Sequence, residues 1–115
     1  MDGMPVDRAV VRKAVADART HGFVKEEIVI DCTSPAQNPE ALRAALGMIA
    51  WCAQSLGCPT LLDITGVGKG LPERPWLQAS LLAAAQASGL TIAVADPAVT
   101  ELMQIRAAGD RLWRE

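Results

Sequence analysis

Residues 61–77 read Leu-Leu-Asp-Ile-Thr-Gly-Val-Gly-Lys-Gly-Leu-Pro-Glu-Arg-Pro-Trp-Leu. A short apolar strand runs into a loop with three glycines, and a helix opened by proline follows. A loop that leaves the carboxyl end of a buried strand is where α/β proteins place ligands. Gly66, Gly68 and Gly70 allow that loop to bend sharply or to lie flat against a ring. Two phosphate-binding readings fail on spacing. A Walker-type loop needs Gly five positions before its Gly-Lys and Ser or Thr after it, whereas this chain has Asp63 and Gly70 there. The dinucleotide fingerprint fails because Leu71 stands where its third glycine should be.

Outward from this stretch, helical and extended patterns alternate. Pro5 opens a helix expected to reach about His21, with Val11, Val15 and Ala18 at helical spacing and Gly22 as its stop. Ile28-Val29-Ile30 is a β-branched run, apolar on both faces, as a buried parallel strand would be. Asn38-Pro39 supplies an N-cap and a first-turn proline. The stripe Leu42, Leu46, Ile49, Ala53 and Leu56 follows, ended by Gly57. Thr60–Ile64 reads as the second strand. A third helix starts at Pro72 or Pro75, carries Leu77, Leu81, Ala84 and Ala85, and stops at Gly89. Thr91–Ala95 reads as the third strand. Asp96 is placed to cap a last helix at Pro97, with Leu102, Ile105 and Leu112 inward. The order α-β-α-β-α-β-α is a parallel βα repeat with right-handed crossovers. A β/α barrel needs eight strands and roughly 250 residues. The expectation is therefore a single domain over 1–115, a partial TIM barrel of about three strands completed by association.

Composition narrows the function classes. Half the residues are apolar and only Trp51, Trp76, Trp113 and Phe23 are aromatic, so the core is expected to be built from Ala, Leu, Val and Ile. The formal charge of −2 advertises neither a nucleic acid nor an anionic membrane surface. Cys32, Cys52 and Cys58 form no Cys-x-x-Cys pair, and reduced thiols in a cytoplasmic protein are the expected state. No signal-peptide pattern is visible, and no apolar run approaches the roughly 18 residues that span a bilayer. The lone histidine, His21, argues against a metal centre or a Ser-His-Asp arrangement. Cys32 lacks a nearby base and is discounted as a nucleophile. Trp51 and Trp76 read as core or interface residues.

The chemistry is expected at the strand ends: Asp31-Cys32-Thr33, Asp63-Ile64-Thr65-Gly66 and Asp96. Asp31 either binds a ligand or caps a turn. Asp63, inside its strand, needs a hydrogen-bonding partner, because burying a lone carboxylate is costly. Asp96 precedes a proline, and its favoured reading is a helix cap.

The segment Asp63-Ile64-Thr65-Gly66-Val67-Gly68-Lys69-Gly70-Leu71-Pro72 carries a family resemblance. Together with Asp96-Pro97, Glu101–Ala108 and the strand Glu26–Asp31, it resembles the C-terminal part of methyltetrahydrofolate:corrinoid methyltransferases, pterin-binding barrels related to dihydropteroate synthase. The resemblance implies transfer of the N5 methyl group of methyltetrahydrofolate to the cobalt of a corrinoid (cobalamin) carried on a partner protein. It implies that Asp31 accepts hydrogen bonds from the pterin edge, that Thr65 supports the ring, and that loop 66–70 shapes the mouth; Asp63, where the family usually has a small residue, and Asp96 are further candidates to bind ligand there. The family places an Asn near the pterin N5 where this chain has Gly66. Lys69 is the alternative donor, set against the plainer reading of a solvent-facing lysine. A second expectation is non-enzymatic: a truncated or accessory barrel half, inactive alone, acting as an assembly subunit with itself or with a complementary chain. A third is a small unrelated α/β binding module.

Overall fold

The structure, a computed structural model, describes residues 8–114. Pro5, expected to open the first helix, lies outside the described residues. Helix α1 (Arg8–Thr20) is followed by a 3₁₀ turn at Lys25–Glu27 and strand β1 (Ile30–Asp31). Then come α2 (Pro39–Trp51), a π-helical turn (Cys52–Leu56), β2 (Thr60–Asp63), α3 (Arg74–Ser88), β3 (Ile92–Val94) and α4 (Thr100–Trp113). The three strands form one parallel sheet in the order β1-β2-β3. Strand order therefore follows chain order, without the reversal that marks a doubly wound sheet.

Local chemistry accounts for most boundaries. Asn38 caps α2 through Oδ1, which accepts from the Ala41 N–H at 2.8 Å, and Pro39 takes a first-turn position where its missing N–H costs nothing. Gly57 and Gly89 end α2 and α3 as expected. Helix α2 does not end cleanly, however; it widens into the π turn. The buried stripe is Ala41, Ala45, Met48, Ile49 and Cys52, with Leu42 and Leu46 half-buried; within the π turn Leu56 is buried as expected and Ala53 is exposed.

The helices α2, α3 and α4 pack in sequence over one face of the sheet, and the molecule is only 20 Å thick along its short axis. Strand β2 alternates accordingly. Thr60, Leu62 and Ile64 are buried against the helices, while Leu61 and Asp63 are half-exposed on the other side. The core gathers Ile49, Ile64, Leu82, Ala85 and Leu102 beneath that layer. Gly109 permits the close approach of α4 to α3: a Cβ there would collide with the Gln86 side chain, whose Nε2 donates to the Arg106 carbonyl at 3.1 Å. At the far side of α2, Trp51 is buried, and the guanidinium carbons of Arg8 and Arg12 lie 5.5 and 5.4 Å from its ring centroid. Trp51 is thus a core residue, one of the two readings expected for it.

Several expectations are corrected. The first strand is not Ile28–Ile30, because the 3₁₀ turn holds Ile28 through its N–H to the Lys25 carbonyl and pairing begins two residues later. Asp31 is the last residue of β1, at the strand's carboxyl end as expected. The strands are not buried on both faces. Val29, Ile92 and Val94 are 45%, 39% and 40% exposed, because helices cover one face only. The third strand is Ile92–Val94 rather than Thr91–Ala95, and α4 starts at Thr100 rather than Pro97. Leu112 and Trp76 point to solvent at 72% and 63% exposure, and Leu77 leaves the inner stripe of α3 to Gln78, Leu81, Leu82 and Ala85. No helix among the described residues is long and apolar enough to cross a membrane.

Candidate functional site

The carboxyl ends of the three strands gather most of the residues singled out from sequence. The loop after β1 and the loop after β2 enclose a cleft of about 190 Å³ bordered by Thr33, Ser34, Gln37, Asp63, Thr65 and Gly66. A second cleft, about 260 Å³, lies between the same β2 loop, the start of α3 and the loop after β3; Thr65, Arg74, Gln78 and Asp96 border it. Thr65 stands on the rim of both. Each cleft is smaller than the ~300 Å³ of a typical complete ligand pocket.

Asp63 closes β2 and turns the chain into the loop. Its Oδ1 accepts from the Thr65 N–H at 2.9 Å and from the Thr65 hydroxyl at 2.6 Å. These two donors hold its carboxyl below the usual carboxylate range, the hydroxyl more than the backbone, so Asp63 is ionised at neutral pH. The Asp63 N–H in turn donates to the Thr33 hydroxyl at 2.8 Å, tying the two strand ends together.

Asp31 occupies the uncovered face of the sheet. Register pairs it with Leu61, and alternation puts Asp63 on the same face, one strand across and two residues on. Strand spacing and rise place their Cα atoms about 8 Å apart. Asp31 Oδ1 accepts from the Thr33 N–H at 2.9 Å, so the turn-capping role weighed from sequence is real, and the carboxylate is exposed. Asp96 behaves similarly. Its Oδ1 accepts from the Ala98 N–H at 2.9 Å in a turn that precedes α4, so it does not cap that helix itself.

The loop 65–70 is clamped from below by α3. Arg74 Nη2 donates to the Thr65 carbonyl, and Gln78 Nε2 donates to the carbonyls of Thr65 at 3.3 Å and Val67 at 3.1 Å. Gln78 is only 3% exposed. Gly68 adopts φ +72°, and a Cβ there would lie 3.1 Å from Arg74 Cα and from Leu77 Cδ1, so both the conformation and the space require glycine. Lys69 is exposed beyond this clamp and lines neither cleft. The space beside Gly66 is taken by another residue. A Cβ at 66 would come within 3.0 Å of Gln37 Nε2, which reaches in from the loop after β1.

Reading the sequence missed Arg74, Gln78 and Gln37. Gln78 carried a signal, since with Leu81, Leu82 and Ala85 it completes the i, i+3, i+4, i+7 pattern of a buried face, and a polar residue there needs partners. Gln37 carried none, because its approach to Gly66 is made across two loops.

The cysteines stay apart from this chemistry. All three are buried and free. Burial, aided by Cys52 and Asp31, pushes the Cys32 thiol up to about 12, and burial also raises Cys52 and Cys58. At neutral pH none is a thiolate nucleophile. His21 follows α1 in a turn, with its Nδ1 2.8 Å from the Asp17 carbonyl oxygen. Among the described residues no three of His, Cys, Asp and Glu come together as metal ligands would. The chain matches no known protein-family model, and no curated protein matches it.

Proposed function

We propose that this chain is a pterin-binding unit of the methyltetrahydrofolate:corrinoid methyltransferase kind, holding the pterin of methyltetrahydrofolate against the uncovered sheet face at the strand ends. The observation that carries the reading is the pair Asp31 and Asp63 on one open face beside the clamped Thr65 loop. A pterin presents an edge of N–H donors and a carbonyl, and an exposed carboxylate is its natural acceptor. Asp31 takes that role, with Thr65 and the backbone of 66–68 shaping the rim.

Gln37 supports the reading at the position of the family's Asn. The family's Asn is replaced by Gly66, yet the Gln37 amide occupies the space into which a side chain at 66 would project. An amide donor is thereby restored near where the pterin N5 would lie, and Gln37 takes over from Lys69 as the candidate donor. The chain's own contribution to methyl transfer is to bind, orient and hydrogen-bond the ring. The corrinoid acceptor would be carried by a partner protein.

A second reading, an assembly subunit inactive on its own, is favoured by the bare sheet face and by the small size of both clefts. In that case a complementary barrel half or further copies of this chain would supply the remaining walls.

Calorimetric titration of the chain with methyltetrahydrofolate tests the proposal, with Asp31→Asn and Gln37→Leu alongside. Saturable binding is expected, weakened by about 1–3 kcal/mol in Asp31→Asn, the cost of losing a charged hydrogen bond. Heat indistinguishable from dilution for the unaltered chain would leave the assembly reading in place of the pterin one.

A further inference from the structure

The outer edge of β3 runs along a groove of about 400 Å³ whose walls are Leu82 and Leu90 from α3 and its end, and Met103 and Arg106 from α4 with Arg114 just past its end. In a parallel ladder, alternate residues direct their N–H and C=O to the same neighbour. The Ile64 N–H donates to the Val94 carbonyl at 3.0 Å, so Ile92 and Val94 face β2, and Thr91, Ala93 and Ala95 direct theirs outward into this groove. On the opposite edge, Ile30 and Cys32 donate to the carbonyls of Pro59 and Leu61, so Val29 and Asp31 direct theirs outward. Among the described residues no strand pairs with either edge.

We infer that the β3 edge pairs in parallel with the β1 edge of a second copy of this chain, with Ala93 seated between Val29 and Asp31 of that copy. The Ala93 N–H then donates to the Val29 carbonyl, and the Asp31 N–H donates to the Ala93 carbonyl.

Three observations select this occupant. The register makes the faces agree. Ile30 pairs with Thr60, and Ala93 with Leu62, so both side chains lie on the helix-covered face and Ile30 turns towards the apolar wall of the groove. Val29 joins Ile92 and Val94 on the uncovered face, where all three are now exposed. Charge agrees as well. Glu26 and Glu27 lie in the turn ahead of β1, while Arg106, Asp110 and Arg114 line the groove, with Arg114 paired to Asp110 at 3.8 Å and Arg106 the cation left to meet them. Parallel pairing brings that turn to the groove, and Arg106 has no carboxylate partner among the described residues.

Because each copy offers one edge of each kind, the contact is head-to-tail and closes into a ring when the sheet twist allows. This inference rests on the reading that the sheet is completed by association.

Sedimentation equilibrium of the full chain over a concentration series tests it, with three variants. Ala93→Pro removes an outward N–H and leaves the β2 ladder intact. Glu26→Arg and Arg106→Glu reverse the two charges singly and together. The expected result is a defined oligomer, weakened tenfold or more by Ala93→Pro and by each single reversal, and restored in the double reversal. A chain that stays monomeric at every concentration would overturn both self-association and this pairing. An oligomer indifferent to Ala93→Pro and to the charge swap would overturn the pairing alone, with association by another surface left standing.

Discussion

Replacement of Gln78 by Leu tests the clamp that shapes the candidate site. The side chain is 3% exposed, sits between Leu77 and Ala79 on α3, and its Nε2 serves two loop carbonyls at 3.3 and 3.1 Å. Leucine retains the bulk but donates nothing. The Thr65 carbonyl keeps Arg74, whereas the Val67 carbonyl loses this donor. A hydrogen bond is worth about 0.5–1.5 kcal/mol net, and a carbonyl stranded in a half-buried place costs about 1–3 kcal/mol. The longer contact contributes least, and the added apolar burial offsets part of the loss. A net destabilisation of about 1–2 kcal/mol is expected. Urea denaturation followed by circular dichroism measures it, and each kcal/mol should appear as a melting temperature about 4–8 °C lower. Limited trypsin digestion at the exposed Lys69 reports the loop separately: cleavage should accelerate more than global unfolding predicts. Unchanged stability together with unchanged cleavage at Lys69 would refute the view that this amide holds the loop.

Two further outcomes follow from the electrostatics. Thr65→Val removes the hydroxyl donor to Asp63, so the Asp63 carboxyl should rise towards its ordinary range, read directly by carbon NMR titration. Because a depressed carboxyl stabilises the fold above its unfolded pKa, the variant's deficit should be full at neutral pH and vanish as pH falls through the folded value of Asp63. The buried thiols behave oppositely. They should resist a disulfide reagent at neutral pH until the chain unfolds, and stability should decline as pH climbs from about 9 towards about 12, where the unfolded chain ionises and Cys32 does not. Rapid stoichiometric labelling of the folded chain at neutral pH would contradict the burial of all three.

Where signals are local, sequence and structure agree closely. Asn38-Pro39 starts α2, Gly57 and Gly89 stop two helical segments, and the short segment expected at 60–64 forms the central strand over Thr60–Asp63, because capping, φ preference and apolar period act within a few residues. Asp63 and Thr65 were legible as separate candidates; their pairing was not read, although a carboxylate two residues before a hydroxyl carries the signal of such a turn. Asp31 was legible as a residue but not as a position. Its place on the uncovered face depends on the register of β1 against β2, and a one-residue offset reverses every side chain.

By itself the sequence determined the alternation of helices and strands, the glycine-rich loop after the central strand, and the polar residues available at the strand ends. Tertiary structure decided which sheet face stays open, that Gln37 lies beside Gly66, that Gln78 grips two carbonyls, and that Leu112 and Trp76 face solvent. The division has a physical basis. Propensity, capping and periodicity are properties of neighbours in the chain, whereas exposure and cross-loop contact depend on which layers cover which faces, and a three-stranded sheet with one helical layer leaves the other face to whatever binds it.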